Sequence, residues 1–527
     1  MQEIQNLYWV KNSNQPKDQT WFLSFQWLQY LILLLNTGLS GWAILQGNLD
    51  FYTPKFVSCS KSNNYTETPI DNITDSSVSF DSLTVKLNLI CENDHYVVTA
   101  KTISFIGLVT GSFSSGFISD NYGRQKAIEW GHLGNALVQI MIYLLPYYAY
   151  GSEHSFHMTY WITTLGWFLS INFTYWSSFG AIYCLQDFIP IKYQPNAIAL
   201  SSAFWCLNYL MLNWCHLFSY TWRTTHLMQI CYSLALLVSA YFCIDESIYW
   251  LISRKEFSQA HKILKKYQQK TGIKNQENFN FESEILIPNT STKSEINQEQ
   301  EQIKIYSSID LFTNGKEMTL LTIKLCIMWA FTNLGWYGLT INAETLPVGY
   351  YTAMTIYGLL DIFCYGISGK IMTKFGRKLP MIVGFFGCAV FLSLDTVVMN
   401  LPFVKCALAE GQTIFDNSWL LLSFIFLNLG RCLINILWSL CMKYSEEIYP
   451  VPIKVTALGF TLGLANFVCI LSPAIIYLQK YYEWLPNMVY IVLALVSGLC
   501  SISIMETKNM AALPSFEKAK EFYRKGH

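Results

Sequence analysis

The chain has 527 residues, of which 52% are hydrophobic and 13% charged, and its 35 basic and 35 acidic residues give a formal net charge of zero. A soluble domain carries about 25% charged residues. Low charge together with 34 Phe, 33 Tyr and 17 Trp therefore excludes an ordinary soluble globular protein and gives no reason to propose a nucleic-acid partner.

Crossing a bilayer takes about 20 mostly apolar residues. Twelve stretches satisfy this, near 22–46, 96–118, 127–147, 158–185, 197–219, 227–244, 319–342, 350–372, 379–399, 418–442, 455–478 and 486–505. The expected fold class is thus an all-α polytopic membrane protein with twelve transmembrane helices. Residues 1–21 are polar, show no cleavable signal and form a cytoplasmic N-terminus; 22–244 form a first six-helix half with an external loop at 47–95. That loop carries two glycosylation sequons, at Asn64 and Asn72. Its two cysteines, Cys59 and Cys91, either form one bridge in an oxidising compartment or remain free thiols.

Between the second and third apolar runs lies Gly116-Phe-Ile-Ser-Asp120-Asn-Tyr-Gly123-Arg124-Gln-Lys126. A degraded copy, Gly369-Lys-Ile-Met-Thr373-Lys374-Phe-Gly376-Arg377-Lys378, follows 253 positions later, again between two apolar runs. One turn used twice, half a chain apart, indicates two related halves, with a solute site between them at the bilayer midplane. Short turns containing Arg124, Lys126, Lys374, Arg377 and Lys378 share one side, which the positive-inside tendency makes cytoplasmic.

The remaining segments are a linker at 245–318, a second six-helix half at 319–505 and a cytoplasmic tail at 506–527. Within the linker, 254–272 reads as a basic amphipathic helix, and 273–308, rich in Asn, Gln, Ser, Lys and Glu, reads as disordered. There is no Gly-rich loop ending in Gly-Lys-Ser/Thr, no Cys/His metal spacing and no catalytic constellation. The expectation is a non-enzyme that takes no cofactor or metal.

The chain resembles the major facilitator superfamily, and within it the organic cation/anion transporters (solute carrier family 22-like). The turn at 116–126 resembles the superfamily's signature between helices 2 and 3. Asp245-Glu246-Ser247-Ile-Tyr-Trp250-Leu251 resembles a Pro-Glu-Ser-Pro-Arg-Trp-Leu box, Glu447-Ile-Tyr449-Pro450 a Glu-Leu-Tyr-Pro turn, and Glu506-Thr507-Lys508 with Leu513-Pro514 the family's ending. Departures are Asn121 and Thr373 in the two turns, Trp167 in helix 4, and Ile248 and Tyr249 in the box.

The resemblance implies two pseudo-symmetric six-helix halves that move a small organic solute by alternating access. The solute would be an organic cation, a zwitterion or a neutral metabolite. It implies a cytoplasmic gate built from Gly116, Asp120, Gly123, Arg124, Asp187, Gly376, Arg377, Arg431 and Glu447; the plain alternative is solvated loop charge that sets topology only. Asp361, inside the apolar run of helix 8, stands where cation-transporting relatives have a glutamate, which makes it a substrate-cation or proton site, or else a structural acid. Asn466 stands where relatives carry a charge and disfavours a dedicated anion porter. Tyr175, Trp205, Tyr209, Trp336 and Tyr337 supply rings for a flat or quaternary ammonium substrate, although such rings also fill plain cores. Two alternatives remain: a transport-inactive structural subunit or receptor with the same fold, and a sugar-type porter. The expected partners are a small solute, the lipid bilayer and a coupling ion such as a proton. The protein is expected to be monomeric, in the plasma membrane by default, with an internal membrane open.

Overall fold

A computed structural model describes residues 24–51, 83–87, 89, 93–145, 153–189, 194–219, 221–254, 256–271, 309–313, 315–450, 453–479, 481–482, 484–508, 513 and 516–525. Asn64, Asn72, Cys59 and Cys91 lie outside these residues, as does 273–308. Among the described residues, twelve long helices account for both halves. The first comprises α1 (Ser24–Asp50), α2 (Asp94–Tyr122), α3 (Arg124–Tyr143), α4 (Glu153–Phe188), α5 (Gln194–Phe218) and α6 (Trp222–Cys243). The second comprises α7 (Lys316–Ile341), α8 (Tyr350–Phe375), α9 (Lys378–Met399), α10 (Ser418–Ile448), α11 and α12 (Leu485–Ile502). α11 has two segments, Lys454–Cys469 and Ser472–Leu478, and breaks just before Pro473, which has no N–H to continue the ladder.

Among the described residues, eight helices are apolar enough by length and composition to cross a bilayer. The other four, α3, α4, α5 and α8, are diluted by polar side chains that face inward. His132, Asn135 and Gln139 of α3 are all buried, and Asn135 donates to Ser233 of α6 at 2.7 Å. Hydrogen bonds of this kind join helices where lipid supplies no hydrophobic drive.

The halves repeat one packing scheme. α3 lies on α4 and α6, α2 on α4, and α1 on α4, α5 and α6; α9 lies on α10 and α12, α8 on α10, and α7 on α10, α11 and α12. The halves meet chiefly through α5 against α8 and α11 against α2. A pseudo-two-fold relation exchanges these two seams. Three short helices cover the end that carries the basic turns. Ile248–Ser253 and Phe257–Thr271 follow the first half, and Phe516–Lys525 docks beneath the second, where the Tyr523 hydroxyl donates to the Ile448 carbonyl at 2.7 Å.

Candidate functional site

A cavity of about 100 Å³ lies between the halves, lined by α1, α4 and α5 from the first and α7, α8, α10 and α11 from the second. Its walls include Tyr175, Trp205, Trp336, Tyr337 and Asn466, with Asn333 and several serines. Among the described residues, no charged side chain lines it. The rings interlock edge to face: Trp205 stands 4.9 Å from Trp336, Trp336 5.1 Å from Tyr337, and Tyr337 5.3 Å from Phe105. Such edge-to-face pairs fix ring orientation as well as filling space. Asn333 donates to Asn466 at 3.0 Å, and Asn466 donates across the seam to Ser112 at 2.7 Å. The buried Nε1–H of Trp336 has no acceptor among the described residues, which leaves a donor at the cavity wall.

Asp361 and Tyr209 do not line this cavity; they stand behind Trp336. Asp361 is completely buried and takes a forked pair of hydrogen bonds from Arg431, at 3.1 Å from Nε and 2.7 Å from Nη2. It also accepts from Asn435 at 2.5 Å and, across the seam, from the Tyr209 hydroxyl at 2.6 Å. The Arg431 guanidinium donates to Thr340 at 2.8 Å and lies 4.9 and 4.3 Å from the Trp336 and Tyr357 ring centroids. An intramembrane charge persists only with partners of this quality. The carboxylate is already neutralised by an arginine, so it does not offer an open anionic site to a substrate cation.

This corrects the placement of Arg431 in the cytoplasmic gate. Position 431 is mid-way along the 31-residue α10, about 25 Å from the end that meets the basic turns, at 1.5 Å per residue. Its place in the apolar run carried that information; its family resemblance did not.

The two basic turns form two matching clasps. Gly123 and Gly376, at φ 104° and 83°, are the left-handed residues between α2 and α3 and between α8 and α9. In the first clasp Glu246 accepts from the backbone N–H of Arg124 at 2.8 Å and of Gln125 at 3.1 Å. In the second, Glu506 accepts from the N–H of Arg377 at 2.9 Å and of Lys378 at 3.0 Å. Each carboxylate satisfies the orphan donors of a helix N-terminus. A Cβ at either glycine would meet that carboxylate, 2.3 Å from it at 123 and 2.6 Å at 376. Behind them Ser247 donates to Asp187, and Thr507 donates to Glu447 at 2.7 Å. Arg377 also forks onto Glu447, at 2.6 and 2.9 Å. These bonds close within a half. Between the halves at this end, Gln186 donates to Glu446 at 2.7 Å.

Gly116 lies within α2 with open space beside it, and the side chain of Asp120 is outside the described set. The sequence thus assembled most of the clasp residues but overlooked the two that occupy the helix ends, Glu246 and Glu506. The signal was present: each half is followed by a Glu-Ser or Glu-Thr pair. A further intramembrane acid, Asp395 of α9, is buried and accepts from Ser423 and, at 3.0 Å, from Asn487.

Burial raises the pKa of Glu246 above its ordinary value, partly offset by N–H donors from Ser247, Arg124 and Gln125. For Glu506 burial acts in the same direction, but N–H groups of Arg377, Lys378, Lys508 and Thr507 outweigh it and hold the pKa below the ordinary value.

The profile of the sugar (and other) transporter family matches residues 55–513. Human solute carrier family 22 member 13 is 23% identical over 438 residues, covering 81% of this chain and 69% of the human protein. Organic cation transporter 1 of Caenorhabditis elegans is 22% identical over 463 residues, 86% of this chain and 71% of the worm protein. Among solved structures, the proton:xylose symporter XylE bound to 6-bromo-6-deoxy-D-glucose superposes with a TM-score of 0.64 at 14% identity, over 95% of this chain and 99% of that one. The partially occluded inward-open form of XylE from E. coli gives 0.61 at 14% identity, over 92% and 99%.

Proposed function

From the premise that the chain belongs to the sugar (and other) transporter family, we propose that its solute is a neutral or zwitterionic planar organic molecule held between the rings of Trp205, Trp336, Tyr337 and Tyr175. The protein is an integral multi-pass membrane transporter of small organic solutes with the major facilitator fold, and not an enzyme. The observation that carries the choice of solute is the absence of charge from the cavity lining, together with the internal neutralisation of Asp361 by Arg431. Transferring a net charge into such a site without a counter-charge costs several kcal/mol, whereas a zwitterion carries its own counter-charge and a flat ring is bound by stacking and one or two oriented hydrogen bonds. The Trp336 N–H is the donor to a carbonyl or ring nitrogen of the solute.

The site does not favour a sugar. The cavity-lining residues of α5 are Ser201, Ser202 and Trp205, and those of α7 are Asn333, Trp336 and Tyr337, so few amides are available to satisfy a ring of hydroxyls. Transport proceeds by rocking of the halves about the α5–α8 and α2–α11 seams, alternately opening the cavity to each face, in a monomer of the plasma membrane. Movement of solute is linked to a proton.

The test is uptake by reconstituted vesicles of labelled nicotinamide (neutral), tryptophan (zwitterion), choline (cation) and benzoate (anion). Saturable uptake of nicotinamide or tryptophan is expected. Trp336→Phe, which keeps the ring and removes the donor, should raise KM about fivefold, as loss of about 1 kcal/mol of hydrogen bonding requires. Saturable choline or benzoate uptake without the neutral solutes would overturn the proposal.

A further inference from the structure

The first half contains a buried acid–base pair of its own, remote from the cavity and the clasps. Asp50 at the outer end of α1 and His226 of α6 face each other at 3.1 Å, with side chains 4% and 2% exposed. Asp50 also accepts from Gln46 at 2.9 Å. His226 Nδ1 faces Gln139 Oε1 at 2.5 Å, and the Gln139 amide nitrogen donates to Ser170 at 2.9 Å. The Ser170 hydroxyl donates to Asn135 at 2.6 Å.

Counting donors fixes the occupancy of this pair. Because the Gln139 amide nitrogen is engaged with Ser170, its oxygen faces the ring, and Nδ1 must donate to it. Nε2 faces a carboxylate, so either the ring carries its second proton there or Asp50 carries it. In both arrangements the pair holds one proton that a neutral imidazole facing an ionised carboxylate lacks. Removing that proton sets two acceptors against each other in a buried site, and restoring it removes the clash. Histidine is the side chain whose ordinary titration falls near neutral pH.

The surroundings suit proton entry. A small void of about 10 Å³, on the order of the space one water needs, is bordered by Asp50, Gln46, Gln139, Thr163 and His226. The titratable groups around the pair come from each packed helix. His216 of α5 lies 3.5 Å from Gln46 Nε2. Tyr160 of α4 reaches the site through Phe51, 6.4 Å between ring centroids. Arg223, one turn before His226 on α6, donates to the Leu145 carbonyl. α3 contributes the amide of Gln139 and no charge at this level. Gln46 is the hub, accepting from Trp42 at 3.0 Å and donating to Thr225 at 2.8 Å. Through Thr225 it ties the pair to α6, and at 3.5 Å it faces His216 of α5, the helix that carries Trp205 of the cavity wall; its own helix, α1, carries Ser40 and Ile44.

We propose that Asp50 and His226 form a proton-binding site through which solute movement is coupled to a proton gradient, one proton per cycle. The proton binds from the outer face, changes the packing of α1 against α5 and α6, and leaves after the halves rock. This rests on the transporter reading above and assigns its coupling ion to particular atoms.

Two measurements on the full chain in vesicles test it. Nitrogen NMR of histidine-labelled protein, with the His226 signal identified by its loss in His226→Asn, needs no solute. The wild type should show either a ring protonated on both nitrogens that becomes a single Nδ1–H tautomer as pH rises, or an Nδ1–H tautomer throughout whose Nε2 signal shifts as the acid facing it loses its proton and with it the hydrogen bond to Nε2. Asp50→Asn should lower the proton affinity of the ring at least tenfold, about one pH unit. A His226 signal unchanged across the pH range, or indifferent to Asp50→Asn, overturns the site. In the second measurement an inward acid gradient drives uptake of whichever of nicotinamide and tryptophan the wild type takes up. Asp50→Asn, or the doubly neutral Asp50→Asn/His226→Asn if the single variant does not fold, should lose gradient-driven accumulation but keep solute exchange at equal pH. Accumulation retained by the variants, or a wild type indifferent to the gradient, overturns the coupling. If the wild type takes up no solute at all, the transporter reading fails, and the NMR result still decides the proton site.

Discussion

Each half buries an acid–base pair within the membrane, and the two pairs differ in the base. In the second half Asp361 faces an arginine whose charge is permanent; in the first, Asp50 faces a histidine, a base that can exist with or without a charge. The arginine pair is also tied across the seam by Tyr209 and pinned between two rings, which suits a fixed strut. The histidine pair stays inside one half and borders a void, which suits a switch. Similar chemistry in related bundles thus takes a static form in one half and, as proposed above, a proton-binding form in the other.

Removing the acid from each pair should expose this difference most strongly. Asp361→Asn leaves a guanidinium that cannot shed its proton, and should destabilise the protein by about 3–5 kcal/mol, the cost of breaking a buried pair. Asp50→Asn leaves an imidazole that can neutralise itself, and should cost only about 1–3 kcal/mol, that of a lost hydrogen-bond partner. Thermal unfolding in detergent measures both, and equal losses would break the distinction. Tyr209→Phe removes one neutral donor to a carboxylate and should cost about 1.5–3 kcal/mol. Because that bond crosses the seam, cross-linking between α5 and α8 should also fall; unchanged cross-linking would mean that Asp361 is no strut.

The clasps allow a subtler comparison, since they share a frame and differ in environment. Gly123→Ala and Gly376→Ala both place a Cβ at positive φ against a carboxylate, and each should cost about 1–3 kcal/mol of backbone strain. The smallest expected effect is in pH dependence. Glu506, with a lowered pKa, contributes stability that is present above the ordinary value of 4.5 and lost as pH falls through its own pKa. Glu246, with a raised pKa, contributes stability that is present below 4.5 and lost as pH rises through its own pKa. Glu506→Gln should therefore flatten the acid limb of the stability profile, and Glu246→Gln the decline just above pH 4.5. The same limb flattened by both would refute the contrast.

The two degraded turns also show why losing a motif residue need not abolish a device. Thr373 replaces an acid in the second turn and merely donates to Lys370 of its own helix, yet that clasp is complete because Glu447 and Glu506 close it from α10 and from the segment after α12. The anions come from elsewhere in the chain.

Much of this protein could be read directly from the chain. Apolar run length fixes where a helix can cross a bilayer, because an unsatisfied backbone is not tolerated there, and the repeated glycine-arginine turn reveals the duplication. The aromatic and amide character of the cavity was legible too: Tyr175, Trp205, Trp336, Tyr337 and Asn466 do share one space. Tertiary structure alone decided which polar side chains meet. Arg431 and Asp361 are 70 residues apart, Asp50 and His226 176, and Tyr209 and Asp361 152. Hydropathy records that each such group sits in an apolar run and is costly. The rotation of its helix and the neighbour it faces set whether that cost is met by a fixed counter-charge, a titratable one or a neutral donor, and no local stretch of sequence encodes either.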